Sequence, residues 1–223
     1  EAARMAPETQ KQVAHAITRG GARSVAEAAR TLERRAQVEA VRSYASPQGR
    51  FQVIVADPPW PYECRTKDVT HRGTVPYPTM SVRDISAMRV PADENCLLFL
   101  WTTNAFLRHA YQVLDAWGFQ EKTVLTWVKD RVGVGNWLRG QTEHCILAVK
   151  GRPAVRLTNQ STVLHAPTRE HSRKPEEFYR LVETLCPARS RLELFSREKR
   201  EGWTCAGAEL AKFPGPAAGH PAA

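Results

Sequence analysis

The chain contains 223 residues, 42% of them hydrophobic and 25% charged, which suffices for one packed domain with an appended segment and excludes a wholly disordered protein. Lysine and arginine number 32 against 23 acidic residues, so the formal net charge is +9 and an anionic partner such as nucleic acid is favoured. No apolar run approaches the roughly 18 residues of a membrane span, and residues 1–12 are too polar for a signal peptide. We therefore expect a cytoplasmic protein with no membrane partner.

Residues 1–48 are rich in alanine, arginine and glutamate and predict a helical N-terminal extension. A first helix is expected from Pro7 to Arg19, before Gly20-Gly21, and the capping box Ser24-Val-Ala-Glu27 opens a second one. The second helix carries a thin apolar stripe at helical spacing, formed by Val25, Ala28, Ala29 and Leu32. Two helices joined at glycines are also compatible with a helix-turn-helix DNA reader. An accessory pair packed on the main domain is favoured, because the stripe is mostly alanine.

The pattern then changes to short, nearly continuous apolar runs, which are typical of strands buried on both faces of a sheet. These runs cover residues 51–56, 96–101, 123–128, 144–149 and 191–195. Helical patterns separate them, one capped by Asn104 and another with Pro175 in its first turn. The alternation predicts a doubly wound α/β domain over residues 49–212, and the low-complexity segment 213–223 is predicted to be a disordered tail.

The tetrapeptide Asp57-Pro58-Pro59-Trp60 directly follows the first of these runs. In an open α/β sheet ligands bind at the carboxyl ends of strands, and this segment occupies such an end. The prolines stiffen the backbone and leave only carbonyl acceptors, while Asp57 adds an acceptor-only carboxylate. Trp60 offers a flat face for a nucleobase, and such stacking contributes about 1–3 kcal/mol per base. Two acceptors beside a stacking plane suit the exocyclic amine of an aromatic base; the structural alternative is an Asp-Pro turn with Trp60 filling the core.

The segment Ala56-Asp57-Pro58-Pro59-Trp60 resembles the signature of the METTL-type (DPPW motif) adenine-N6 methyltransferases, in particular their bacterial and phage members. Further blocks follow in the family's order from about Phe51 to Leu210, namely residues 77–81, 98–101, 127–129, 142–145, 171–176 and 193–197. The resemblance implies a Rossmann-like methyltransferase sheet that is permuted, with the catalytic motif before the cofactor motifs, and S-adenosylmethionine as the cofactor. The catalytic residues that it implies are Asp57, Pro58, Pro59 and Trp60.

The resemblance also implies a set of cofactor-binding residues, Asp57, Lys174, Arg197, Lys199, Gly207 and Glu209. Lys174 precedes the helix predicted at Pro175, and a cation beside a helix N-terminus is a suitable cradle for the methionine carboxylate. Lys199 stands where some members of the family have a histidine. The sequence departs from the family at Ala208, where a side chain that holds a ribose hydroxyl is frequent. We therefore expect weaker cofactor binding rather than loss of activity, because one hydrogen bond contributes about 1 kcal/mol.

The polar segment 61–75 lies between the tetrapeptide and Tyr77, where a lid or a base-capture loop would be. Its cations Arg65, Lys67 and Arg72 suit a phosphate backbone, although a solvated surface loop explains them equally well. Tyr77 lines the base pocket, closes over the cofactor or belongs to the core. The predicted substrate-binding residues are thus Trp60, Arg65, Lys67, Arg72 and Tyr77.

Other reactive residue types predict no additional chemistry. The five cysteines are scattered without a CxxC pair, which favours reduced thiols, and no group of residues has metal-ligand spacing, so no metal site is expected. His144 begins an apolar run and is expected to be a satisfied core histidine rather than a catalytic base.

These features predict methyl transfer from S-adenosylmethionine to the N6 amine of adenine in nucleic acid, by direct attack without a covalent enzyme intermediate. DNA is favoured because the compact blocks resemble the bacterial and phage members, and RNA remains the alternative. Two other interpretations stay open: a catalytically inactive nucleic-acid-binding relative, and a DNA-binding regulator built on residues 1–48. A monomer or a homodimer is expected, with a hetero-partner also open.

Overall fold

A seven-stranded mixed sheet is the main feature of the part of the chain that the computed structural model describes. That part comprises residues 7–19, 24–29, 31–32, 47–62, 79–133, 137–156, 159–169, 173–208 and 210. The strands are β1 (Phe51–Ala56), β2 (Ala92–Thr102), β3 (Gln120–Val128), β4 (Thr142–Lys150), β5 (Val163–His165), β6 (Arg191–Leu194) and β7 (Thr204–Ala206). The helices include α1 (Pro7–Thr18), α2 (Val82–Ala87), α3 (Leu107–Trp117) and α4 (Glu176–Leu185), and a 3-10 turn covers Asn104–Phe106.

The order of the strands places β1 between β2 and β6, in the sequence β5-β3-β4-β2-β1-β6-β7. β1 pairs in parallel with β2 and β6, β6 with β7, and β3 with β5, whereas β4 runs antiparallel to both of its neighbours. Six of the described strands therefore point the same way, and their carboxyl ends lie at one edge of the sheet. Because the next strand along the chain lies on one side of β1 and a later strand returns on its other side, the end of β1 is a switch point of the kind where α/β sheets bind ligands.

Apolar side chains cover both faces of the sheet. On one face a core cluster combines residues of the first four strands with the buried side of α4. Intervening residues such as Ile54 and Leu98 are fully buried and, by strand alternation, face the other side. There α3 contacts β2 and β3 and lies against α2, where the Trp117 indole N–H donates to the Ile85 carbonyl at 3.0 Å. The doubly wound, Rossmann-like α/β class predicted from the sequence is confirmed.

Local details differ from the predicted elements at a few places. All five predicted apolar runs match strands, except that Phe195 lies in the turn after β6. The strands β5 and β7 were missed because three residues give no recognisable period. The predicted cap at Asn104 is wrong: Phe106 is the N-cap of α3, Thr103 is that of the preceding 3-10 turn, and the Asn104 side chain binds His144 instead. Gly118 ends α3 with a φ of 73°, a conformation that favours glycine. Pro175 is the N-cap of α4 rather than part of its first turn.

Near the N-terminus, α1 packs with a helical segment at residues 25–29. Val13 and Ala28 are 3% and 1% exposed and form the centre of this small apolar cluster. The backbone N–H of Glu27 donates to Ser24 Oγ at 3.1 Å, which is the predicted cap. Both predicted helices are thus present in the described residues, whereas their role as an accessory pair or a DNA reader stays a prediction.

The predicted division into residues 1–48, 49–212 and 213–223 also stays a prediction. The last of these segments, the expected tail, lies outside the described residues. Among the helices that are described, none combines the length and the apolar character needed to cross a membrane.

Candidate active site

Two segments leave neighbouring strands side by side at the carboxyl edge of the sheet. Ala56 at the end of β1 is paired with Leu194 at the end of β6, so Asp57 lies beside the segment 195–197. The predicted catalytic tetrapeptide therefore lies at the switch point of the sheet, in the place where a ligand would bind.

Backbone hydrogen bonds fix the shape of the tetrapeptide. The Trp60 N–H donates to the Pro58 carbonyl at 2.8 Å, and the Met80 N–H donates to the Pro59 carbonyl at 2.8 Å. Each carbonyl oxygen has two lone pairs, so each keeps one for a further donor. The two prolines thus present acceptors on a backbone that is stiffened by their rings and held by these bonds.

The Trp60 side chain is buried, which differs from the predicted open stacking face. It is 3% exposed, its ring stacks on Phe106 at a centroid distance of 5.7 Å and an angle of 13°, and its indole N–H donates to the Trp101 carbonyl at 3.1 Å. A large apolar ring with a satisfied N–H is stable in the core. In this structure Trp60 positions the tetrapeptide on the sheet, and Phe106 covers one of its faces.

A chain of alternating charges connects Asp57 with the interior. The Lys174 ammonium lies 2.9 Å from Asp57 Oδ2 and also binds Glu143 Oε1, while Glu143 Oε2 lies 2.8 Å from Lys129 Nζ. Lys174 is only 5% exposed, and its Nζ lies 4.9 Å from the centroid of the Trp101 ring. A buried charge is tolerated only when opposite charges and hydrogen bonds compensate its loss of hydration. The two carboxylates thus hold the lysine in one place beside the tetrapeptide.

The pKa values distinguish the two carboxylates. Burial alone would lower the pKa of Lys174, but Asp57 and Glu143 raise it above its usual value, so the ammonium stays charged. Burial acts to raise the pKa of Glu143, yet Lys174 and Lys129 outweigh it and hold the pKa below its usual range. At Asp57 burial prevails over the opposing effect of Lys174 and raises the pKa. Glu143 is therefore the stable counter-ion of Lys174. Asp57 is the carboxylate that can more readily leave Lys174 to bind a ligand.

A narrow cleft adjoins this charged chain. Its lining includes Asp57, Lys174, Glu193, Ser196, Arg197 and Glu198. The free volume is about 20 Å³, whereas pockets for small ligands usually have roughly 300–1,000 Å³. A cofactor-sized molecule would therefore require the lining side chains to move apart. A larger cavity of about 330 Å³ lies near the start of β6 and is lined by none of the predicted site residues.

Glu193 contributes an unusual carboxyl group to the cleft. Its residue is 8% exposed, and the Tyr179 hydroxyl donates to Oε1 at 2.6 Å. Within the described part of the chain, Oε2 has no hydrogen-bond partner. Burial raises the pKa of Glu193 to about 7, against the hydrogen bond from Tyr179. An unpaired buried acceptor of this kind suits a hydroxyl or amino group of a ligand.

Backbone strain marks the other wall of the cleft. Phe195 has a φ of 62°, a left-handed conformation that is costly for a residue with a Cβ. Gly207 lies directly against this turn, because a Cβ placed on it would be 2.2 Å from the Ser196 carbonyl oxygen and 2.9 Å from the carbonyl carbon of Phe195. The Ser196 N–H also donates to the Ala206 carbonyl at 3.1 Å. Gly207 is thus required for the close approach that supports the cleft.

The structure brings together only part of the predicted site. Asp57, Lys174 and Arg197 line the cleft, and Gly207 packs behind it. Lys199 is exposed and is not part of the lining, and its cofactor contact stays a prediction. The other predicted residues lie outside the described part of the chain: Arg65, Lys67, Arg72, Tyr77 and Glu209.

Sequence reasoning missed Glu143 and Glu193 as members of the site. Both are single carboxylates among apolar strand residues, and both lie in blocks that carry the family resemblance, which were the available signals. His144 is a satisfied histidine as predicted, because its ring nitrogens lie 3.1 Å from Thr126 Oγ1 and 2.6 Å from Asn104 Oδ1, but it is half-buried rather than in the core. Burial lowers its pKa. No cluster of three or more metal-ligating side chains occurs in the described ranges.

A Rossmann-like sheet of this kind, with a carboxylate at the end of β1 and a buried lysine that contacts it from the start of α4, is the fold of an S-adenosylmethionine-dependent methyltransferase. Within that class the chain belongs to the MT-A70 family, which matches residues 51–209.

Relatives come from eukaryotes and from bacteria. The chain is 35% identical over 173 residues to a probable N(6)-adenosine-methyltransferase MT-A70-like protein of Oryza sativa subsp. japonica, which covers 73% of this chain and 23% of the relative. It is 31% identical over 176 residues to the human N(6)-adenosine-methyltransferase catalytic subunit METTL3, with 73% and 28% covered. Type II methyltransferase M.MunI of Mycoplasma sp is 30% identical over 185 residues, with 74% and 79% covered. The chain thus spans about a quarter of the plant and animal relatives.

Proposed function

We propose that this protein transfers a methyl group from S-adenosylmethionine to the N6 amine of adenine in a polynucleotide. The observation that carries the proposal is the Asp57 carboxylate at the end of β1, bound to the buried Lys174 within an MT-A70 domain. The names of the relatives, which are N(6)-adenosine-methyltransferases, support the same chemistry.

The charged groups of the cleft fit a nucleoside cofactor that carries an amino acid. The Lys174 ammonium suits a carboxylate and Asp57 suits an ammonium group, so the pair matches the methionine end. Arg197 lies in the same cleft, and the unpaired Oε2 of Glu193 offers an acceptor to a hydroxyl group. When bound, the cofactor supplies a methyl group on a positively charged sulfonium. Because the cleft is narrow, its lining side chains move apart to admit the cofactor.

The protein's own contribution is positioning and hydrogen-bond acceptance. Asp57 and the free lone pairs of the Pro58 and Pro59 carbonyls can accept the two N–H bonds of an exocyclic amine. Accepting both keeps the nitrogen lone pair available instead of conjugated with the ring. Holding the amine in this orientation supplies a large share of the rate through effective molarity. In a duplex, the adenine would leave the base stack to reach this edge of the sheet.

We propose DNA as the preferred polynucleotide. The match with M.MunI, a type II methyltransferase, spans 79% of M.MunI and 74% of this chain, so the two proteins are similar over most of their lengths. The net charge of +9 serves DNA and RNA equally, since phosphate contacts are common to both. We also propose residues 49–212 as the methyltransferase domain and residues 1–48 as an accessory extension.

The direct test is incubation with methyl-labelled cofactor and matched DNA and RNA, followed by digestion and detection of N6-methyladenine. We expect label in DNA above RNA. Asp57→Asn should abolish transfer, and Asp115→Asn, an exposed position on α3, serves as its control. Full activity of Asp57→Asn would refute the mechanism. Bound cofactor without label in either polynucleotide would indicate an inactive relative, and preferential labelling of RNA would reverse the substrate assignment.

A further inference from the structure

The hairpin between β3 and β4 carries the most exposed aromatic side chain of the described residues. This β3–β4 hairpin is defined here by residues 129–133 and 137–141. Trp137 is 98% exposed and Leu138 is 88% exposed. The other five tryptophans of the chain are at most 9% exposed. A fully solvated tryptophan beside a solvated leucine costs apolar hydration and therefore points to a ligand.

Hydrogen bonds hold the two stems of the hairpin together beyond the ends of the strands. The Lys129 N–H donates to the Gln141 carbonyl at 2.9 Å, and the Gly133 N–H donates to the Gly140 carbonyl at 2.6 Å. The Arg139 guanidinium donates through Nε to the Gly133 carbonyl at 2.9 Å. Trp137 and Leu138 are thus presented on a braced support.

The stems of the same hairpin adjoin the candidate active site. Lys129 at one stem is paired with Glu143 just after the other, and Glu143 binds the lysine that contacts Asp57. Arg131, in the same stem as Lys129, has a side chain that is 84% exposed and whose Nε lies 3.5 Å from Asp130 Oδ2. Between residues 129 and 141 the chain has three cations and one acidic residue.

We propose that the β3–β4 hairpin is a nucleic-acid contact, in which Trp137 stacks on an unstacked base of the substrate strand and Arg131 contacts its phosphates. This inference rests on the proposed function. Proteins that bind single-stranded nucleic acid combine cations that contact the backbone with aromatic side chains on which bases stack, and the hairpin supplies both residue types. A stable protein interface buries about 800 Å² on each partner, which takes about 20–30 residues. The hairpin offers only three exposed apolar side chains among its described residues, Val132, Trp137 and Leu138, which is small for such an interface. The net charge of +9 further favours a polyanion over a second copy of the chain.

Tryptophan fluorescence provides a selective readout. Because only Trp137 is exposed, it should account for the red-shifted emission that iodide quenches. Adding short adenine-containing single-stranded DNA or RNA should quench this emission and protect it from iodide. Unchanged emission at oligonucleotide concentrations that saturate binding would overturn the inference while leaving the proposed function intact.

Variants separate stacking from the other roles of the hairpin. Trp137→Ala should weaken oligonucleotide binding about tenfold, whereas Trp137→Phe should retain most of the affinity. Tyr111→Ala, at a 37% exposed aromatic on α3, is the control and should bind normally. Wild-type affinity in Trp137→Ala, or a loss of dimer in sedimentation with unchanged affinity, would overturn the inference. If the wild-type chain binds cofactor but neither binds nor methylates any polynucleotide, the proposed function fails and the inference fails with it.

Discussion

Replacement of Lys174 by methionine removes the centre of the buried charge chain while keeping most of the side-chain volume. The substitution breaks the contacts of the ammonium with Asp57 and Glu143. Removing one partner of a buried ion pair costs about 3–5 kcal/mol, because the remaining charge stays desolvated. Glu143 keeps Lys129 at 2.8 Å and the Asp57 side chain is 28% exposed, so we expect the lower end, about 3 kcal/mol. In a chain of this size that loss corresponds to a fall in Tm of roughly 6–12 °C.

Urea denaturation of four proteins measures this quantity: wild type, Lys174→Met, Glu143→Gln and the double variant. Lys174→Met should cost less in the Glu143→Gln background, with a coupling of about 1–3 kcal/mol. Lys122→Met, at an exposed position on β3, is the matched control and should change the free energy of unfolding by less than about 0.5 kcal/mol. A Lys174→Met variant as stable as this control would refute the buried charge chain.

Acid adds a second readout to the same set of proteins. In the folded state the pKa of Glu143 lies below its usual value of 4.5 because of Lys174 and Lys129, against the effect of burial. Its contribution to stability is therefore complete above pH 4.5 and is lost as the pH falls through the lower folded-state pKa. The wild type should lose this increment on acidification, and Lys174→Met should lose less. Identical acid profiles would contradict the assignment of Lys174 as the dominant partner.

Other regions of the chain give further predictions. Gly207→Ala should lower the free energy of unfolding by about 2 kcal/mol in thermal melts, because its Cβ would lie 2.2 Å from a backbone oxygen; wild-type stability would show that the turn relaxes freely. Burial raises the pKa of Glu193 from 4.5 to about 7, so between these pH values the folded state holds a proton that the unfolded state has lost. The free energy of unfolding of the wild type should therefore fall as the pH rises through this interval, by up to about 1.4 kcal/mol per pH unit. Glu193→Gln should flatten that slope in urea titrations across the interval, and an unchanged slope would exclude Glu193 as its source. Burial raises the pKa of Cys96 and of Cys186 to about 12, so peptide mapping at pH 8 should find both thiols unalkylated by iodoacetamide in the folded protein, and rapid labelling would contradict their burial.

The sequence was informative wherever local chemistry alone decides the structure. The apolar run at 51–56 predicts β1. The position of Asp57-Pro58-Pro59-Trp60 then follows, because this segment comes directly after the strand. Lys174 could be assigned to the site because its motif and the following proline are contiguous. Pairing across the sheet was beyond reach: Glu143 meets Lys174 only because of the order of the strands. The buried state of Trp60 likewise depends on Phe106, which is distant along the chain and follows another strand.

The reversed direction of β4 has a consequence for how this scaffold can vary. Because β4 is antiparallel to β3, its first residues lie at the edge where the parallel strands end, and the β3–β4 hairpin stems lie at that edge. The connection between β3 and β4 can therefore change in length or composition while the pairing of the strands stays the same. Doubling such a loop costs only about 0.6 kcal/mol in closure entropy. Lys129 and Glu143 belong to the charged site, whereas the described residues among 132–140 do not. If the hairpin contacts nucleic acid as proposed, new target preferences can be engineered by replacing residues 132–140 alone.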